Sequence, residues 1–257
     1  MRVALALLTL ILALLCTNAR AEHTVVTLAS PTTGPWKGFA PGDFVVFKST
    51  AWDTGATFRR EMLLGLNGEG KAVIGFSRGN SADGPWAQAT TQLRATDDPA
   101  TPANSLGRKS FTVDEKTYDC EGVQWFEVKP EGQTTTERWT DTATGLRVQS
   151  TRKVMKPEGV ELVEERLERV TPFEIGETTV DMAVYLSTTT RNGAIAMSRR
   201  TAFSESVPGR RVAYARWVGE VPGTRYAVDE TVVAMGKNVE AMEKLTGLES
   251  TTKPATP

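Results

Sequence analysis

The sequence predicts an all-β, antiparallel protein, a meander forming a curved sheet, half-barrel or sandwich with one short helix near the C-terminus. Three observations carry this reading. Apolar residues come mostly in short runs rich in β-branched and aromatic types. Turn-forming residues recur between the runs at the spacing of a meander. Strands do not alternate with long helices, which disfavours a doubly wound α/β architecture.

At the N-terminus, Arg2 precedes an almost wholly apolar run over 3–15, and Ala19-Arg20-Ala21 has the small residues that a signal peptidase prefers. Residues 1–21 are therefore expected to be a cleaved signal peptide, the protein periplasmic or secreted, and residues 22–249 a single β domain. The apolar run is about a dozen residues long, short of the roughly 20 that span a bilayer. Cys16 would mark a lipoprotein only with a small residue before it, and Leu15 stands there.

The runs 43–48 (DFVVFK), 71–77 (KAVIGFS) and 122–128 (GVQWFEV) read as strands. Turns are expected at Pro41-Gly42, Asn67-Gly68, Asp83-Gly84-Pro85, Pro157-Glu158-Gly159, Asn192-Gly193 and Pro222-Gly223. The stretch 95–106 reads as a loop between two strand groups. Residues 159–170 are ambiguous, because Val160, Val163, Leu167 and Val170 sit at helical spacing; the strand reading is favoured by analogy with the repeat described next. A short helix is expected over 238–245 and a disordered tail over 250–257.

The most specific pattern is an internal repeat. Residues 139–148 (WTDTATGLRV) align without a gap on 203–212 (FSESVPGRRV), sharing aromatic, hydroxyl, acid, hydroxyl, two variable positions, Gly, one variable position, Arg and Val. Such a segment is a hairpin signature: an aromatic anchor, a turn whose hydroxyl and acid bond nearby amides, and a glycine for a backbone conformation closed to other residues. Duplication of a three- or four-strand unit, near 115–170 and 178–236, explains it most simply. Two copies are too few for a solenoid.

The second copy resembles a diffuse set of secreted bacterial proteins of unknown function that carry an aromatic-Ser-x-x-Val-Pro-Gly-x-x-Val hairpin. The first copy departs from that pattern, having Ala143-Thr144 where Val-Pro is wanted. The resemblance implies no activity. More loosely, a signal peptide followed by an all-β meander is similar in architecture to the periplasmic lipoprotein-carrier folds, in which a curved sheet holds acyl chains; this similarity implies an apolar ligand.

Charge names no partner: 30 Lys+Arg and 31 Asp+Glu are scattered, so nucleic acid is not expected. Catalytic chemistry finds little support. Gly75-Phe76-Ser77-Arg78-Gly79 spells a nucleophile elbow, but the sole histidine, His23, precedes it, whereas an elbow serine needs a histidine after it. The match is equally a strand-to-turn junction. With one His and one Cys in the mature chain a zinc site is not expected, and no calcium-loop motif occurs. No cofactor is implied. Carboxylate-based glycoside hydrolysis needs no histidine, and Glu121, Glu127, Glu137 and Asp141 lie near one another in sequence. Alternating solvent-facing strand positions account for them as well.

After signal removal Cys120 is alone, with three readings: a buried thiol, an intermolecular disulfide, or a reactive group. The six tryptophans are the most suggestive side chains that remain. Trp125, Trp139 and Trp217 read as packing residues. Trp36, Trp52 and Trp86 lie beside Gly, Pro and Asp in loop-like stretches, where exposure and ligand stacking are expected. The function expected is a non-enzymatic exported binding protein holding an apolar or lipid-like molecule in a concave sheet. The alternative is a surface module that recognises glycans or an envelope protein through loop tryptophans.

Overall fold

The computed structural model describes residues 27–51, 55–87, 90–94, 103–130, 132–217, 228–238 and 240–242. The signal segment 1–21 with Cys16, His23, Trp52, the turn at Pro222-Gly223 and the tail 250–257 lie outside the described residues. Among the described residues thirteen strands form one antiparallel sheet: β1 Asp43–Ala51, β2 Gly55–Leu66, β3 Ala72–Gly79, β4 Thr90–Arg94, β5 Asn104–Val113, β6 Lys116–Lys129, β7 Gly132–Asp141, β8 Arg147–Lys156, β9 Gly159–Ile175, β10 Thr178–Arg191, β11 Ala194–Phe203, β12 Arg211–Trp217 and β13 Val228–Lys237. Their order is β4-β3-β2-β1-β13-β12-β11-β10-β9-β8-β7-β6-β5. Every neighbouring pair is consecutive in the chain except β1 and β13. The edges are thus β4 and β5, and among the described residues no ladder joins them, so the sheet is open.

Turn chemistry sets the hairpins. Asn67 Oδ1 accepts from the N–H of Glu69 (3.0 Å) and of Lys71 (2.8 Å), closing the turn between β2 and β3. Asn192 (φ +50°) and Gly193 (φ +84°) give the left-handed pair that a two-residue hairpin between β10 and β11 requires. Residues 159–170 are strand throughout, with β8 and β10 as partners. Cross-strand ion pairs Glu161–Arg191 (3.0 Å) and Glu165–Arg147 (2.6 Å) engage acids that helical spacing would place on an outer helix face. One loop reading is corrected, since Asn104, Ser105 and Leu106 belong to β5, while 75–79 is the end of β3, the strand-to-turn junction that the sequence offered. Within the expected C-terminal helix, Glu240, Ala241 and Met242 are helical, and Asn238 Oδ1 caps the N–H of Ala241 at 2.8 Å.

The two related segments are both hairpins, β7 to β8 and β11 to β12, and they match from the glycine onward. Gly145 and Gly209 have φ of +71° and +73°. Val148 and Val212 are each the residue skipped by the ladder, forming a bulge, and both are buried. Arg147 and Arg211 each lie over an aromatic ring, Tyr185 at 5.3 Å and Phe47 at 4.8 Å. On the upstream strand the copies slip by one residue, since Arg147 opposes Thr140 whereas Arg211 opposes Phe203.

Strong curvature follows from two facts. Cα atoms of β9 and β13 come within 8 Å although three strands separate them in the sheet. In addition, β10 leaves β11 at Ala183, while its pairing with β9 continues to Thr178 opposite Ile175. The resulting two-stranded arm carries Phe173, Ile175, Val180 and Met182, which pack in one cluster with Val45, Phe47, Leu63, Ile74 and Val232. Trp36, from the segment before β1, joins this core. A second cluster, with Tyr118, Cys120, Val148, Leu167 and Tyr185, joins β6 to β8, β9 and β10. A third places Met242 of the C-terminal turn against Met62, Leu64 and Val73. The ends of the sheet therefore differ: at the end of the arm it is filled, and at the other end the hairpins β6–β7, β8–β9 and β10–β11 make a rim.

Candidate functional site

A cleft of about 880 Å³ lies over β8, β9 and β10, overhung by Phe111, Val113 and Asp114 at the tip of the β5–β6 hairpin. Directly opposed residues of an antiparallel pair point to the same face, so the register gives the floor as rows. One row is Gln149, Arg166 and Leu186, continued on β11 by Arg200. Next come Thr151, Glu164, Thr188 and Ser198. Toward the rim stand Lys153, Leu162, Thr190 and Ile195. The lining is thus mixed, with Arg166, Gln149, Glu164 and Thr188 beside Leu186 and Ile195, and Val148 and Leu167 add apolar surface.

Two acids of the lining, Glu165 and Glu168, are engaged by arginines. Glu168, the residue skipped where β9 bulges against β10, takes two bonds from Arg200 (2.6 and 3.2 Å), and this bond holds the Arg200 guanidinium above its ordinary pKa. Glu165 lies 2.6 Å from Arg147 and 3.6 Å from Arg199. Tyr185, buried beneath Arg147, has its phenol pushed up to about 12 by burial, against which Arg147 acts. A second network lies beside Phe47, whose ring is approached by both Arg59 (4.9 Å) and Arg211 (4.8 Å). Arg59 and Arg211 both bridge Glu61 and Glu230 at 3.2 to 3.5 Å. These acids neutralise cations at the core margin, which is a structural use of carboxylates.

The tryptophans expected to bind ligand do not gather. Trp36 is 2 % exposed, lies edge-on to Phe39 and packs against Gly209, which corrects the expectation of exposure. Its loop-like neighbours gave no sign of this, because the partner surface comes from the distant β11–β12 hairpin. Trp86 is half-buried beneath Arg60, 4.9 Å from the ring, and against Gly79 and Gly84. Trp52 lies outside the described residues.

Cys120 is fully buried in the second core, and burial, then Asp141 and Asp119, pushes its thiol up. A thiol so placed cannot reach another chain without unfolding, which corrects the intermolecular reading. The four carboxylates diverge: the register puts Glu121 and Glu127 on one face of β6–β7, and Glu137 and Asp141 on the other. Glu121 pairs with Arg108, Glu137 accepts from Gln124, and Asp141 accepts the backbone N–H and hydroxyl of Thr144. Ser77 is buried in mid-strand opposite Arg60, without the sharp turn that an elbow needs. Among the described residues no three His, Cys, Asp or Glu side chains are placed to hold a metal.

Sequence reasoning missed the cleft. Its signal was present in the hydroxyl-rich run Thr188, Thr189 and Thr190, which is unusual beside a strand as apolar as 180–186. Fold and cleft together define an open-sheet β protein with an amphipathic cleft. Comparison with known proteins finds no family model, no characterised protein and no solved structure that matches the chain.

Proposed function

We propose that the protein is an exported, non-enzymatic binding protein that holds an amphipathic, lipid-like molecule in the cleft over β8, β9 and β10. The observation that carries this reading is the mixed lining of the cleft, with Arg166, Gln149 and Thr188 for a polar head and Phe111, Leu186 and Ile195 for an apolar chain. A volume near 880 Å³ lies at the upper end of the roughly 300–1,000 Å³ typical of small-molecule sites. The glycan alternative loses Trp36 to the core and rests on Trp86 among the described tryptophans.

Titration with a fluorescent fatty acid tests the reading. Saturable binding by the full chain is expected, weakened at least tenfold in Thr188→Trp, which fills the cleft, and unchanged in Trp86→Ala. Binding that ignores Thr188→Trp and fails in Trp86→Ala overturns it.

A further inference from the structure

We infer that the rim formed by the β6–β7 and β8–β9 hairpins is a docking surface for an anionic lipid bilayer, through which the cleft exchanges its ligand. Among the described residues six large apolar side chains are exposed, and four of them, Phe126, Val128, Met155 and Val160, belong to this rim. The register gathers them. Val128, Gln133, Met155 and Val160 form the outermost row across β6, β7, β8 and β9. The row beneath runs without a break from Phe126 through Thr135, Lys153, Leu162 and Thr190 to Ile195, and its last two residues line the cleft. Exposed patch and ligand floor are one surface.

This surface is held outward. The N–H of Val160 donates to Asn192 Oδ1 and the N–H of Asn192 donates to the Val160 carbonyl, both at 2.9 Å, which ties the β8–β9 turn to the β10–β11 turn. Val160 cannot move away from the β10–β11 turn without breaking both bonds. A contiguous exposed apolar patch on a stable fold marks an interaction site.

Charge selects the occupant. Lys153 is the only charged residue in the two rows and is exposed at their centre. Arg191 beside the patch is neutralised by Glu161 at 3.0 Å, and Lys156 and Glu158 near the adjoining turn carry one charge of each sign. A second copy docking about a two-fold axis through the patch would bring Lys153 toward its symmetry mate while removing both from water, which is costly. A bilayer receives the apolar residues at its interface while the lysine stem reaches out to lipid phosphates.

The inference rests on the proposed carrier function but is tested apart from it. The full chain is sedimented with vesicles of phosphatidylcholine alone or mixed with phosphatidylglycerol. Binding to the mixed vesicles is expected, reduced at least tenfold in Val128→Asp and about fivefold in Lys153→Gln, the equivalent of ~1 kcal/mol for a lysine at an anionic surface. The cleft-filling Thr188→Trp should bind vesicles as the wild type does, so loss of ligand binding and loss of docking are read separately. Circular dichroism verifies that each variant is folded. Wild-type protein that stays in the supernatant with mixed vesicles overturns the inference, as does a sedimenting dimer dispersed by Val128→Asp without vesicle binding.

Discussion

At the scale of single residues, the arginine–aromatic pairs show how this sheet tolerates charge near its core. Arg147 covers the ring of Tyr185 and reaches Glu165, and Arg211 covers Phe47 and reaches Glu61 and Glu230. Each guanidinium reaches a carboxylate through a terminal nitrogen while its face shields an apolar ring. Tyr185 reports on this environment. Its phenol titrates at about 12 in the fold against 10.0 for the free side chain, chiefly because burial disfavours the phenolate. Below 10.0 the phenol is protonated in both folded and unfolded chains, and Tyr185 makes stability independent of pH. Between 10.0 and about 12 the unfolded chain loses this proton first, so stability falls as pH rises. At about 1.4 kcal/mol per pKa unit the loss is about 2–3 kcal/mol. Urea midpoints measured across this window should fall more steeply in the wild type than in Tyr185→Phe. Parallel slopes would mean that the phenol is solvated.

At the scale of elements, the related hairpins allow a paired comparison in which one backbone conformation meets two environments. Gly145 and Gly209 share the left-handed conformation, which costs another residue about 1–2 kcal/mol. A Cβ at Gly145 would meet nothing within 4 Å, whereas one at Gly209 would lie 3.3 Å from Trp36 Cζ2. Gly145→Ala should therefore lower stability by the backbone cost alone, and Gly209→Ala by that cost plus displacement of a buried indole. Equal losses in chemical denaturation would show that Trp36 yields freely. The hairpins also mark what the sequence makes legible. Glycine, arginine and valine at fixed spacing specify a turn, and short apolar runs specify strands, because both are local matters of backbone freedom and alternation. The burial of Trp36 against Gly209, the packing of the β9–β10 arm on β1 and β2, and the cleft itself depend on contacts between residues far apart in the chain. None of these leaves a periodic trace. Trp36 misled for that reason: its neighbours Gly34, Pro35 and Gly38 speak only of a loop, and its burial is decided elsewhere.

At the scale of the whole molecule, covalent connectivity demands curvature independently of any side chain. Strands β4 and β5 lie at opposite edges of a thirteen-stranded sheet, yet they follow one another in sequence, from Arg94 to Asn104. Laid flat, thirteen strands at about 4.8 Å spacing would separate the edges by about 58 Å. The ten residue steps between Arg94 and Asn104 reach at most about 35 Å. The sheet must therefore roll until its edges approach, while the absence of a ladder between them among the described residues leaves it open. Rolling brings the β9–β10 arm against β1, β2 and β13 at one end and leaves the apolar hairpin rim at the other. Spin labels at Gln92→Cys on β4 and Ser110→Cys on β5, with Cys120 buried and silent, measure this directly by dipolar spectroscopy. A distribution centred well below the flat-sheet value of about 58 Å is expected, because the short connection holds the two edges near each other. A centre near the flat-sheet value would remove the curvature on which both the cleft and the rim depend. If added lipid narrows that distribution without shifting it, the cleft binds as a preformed cavity; a shift to shorter distance would show the two edges closing around the ligand.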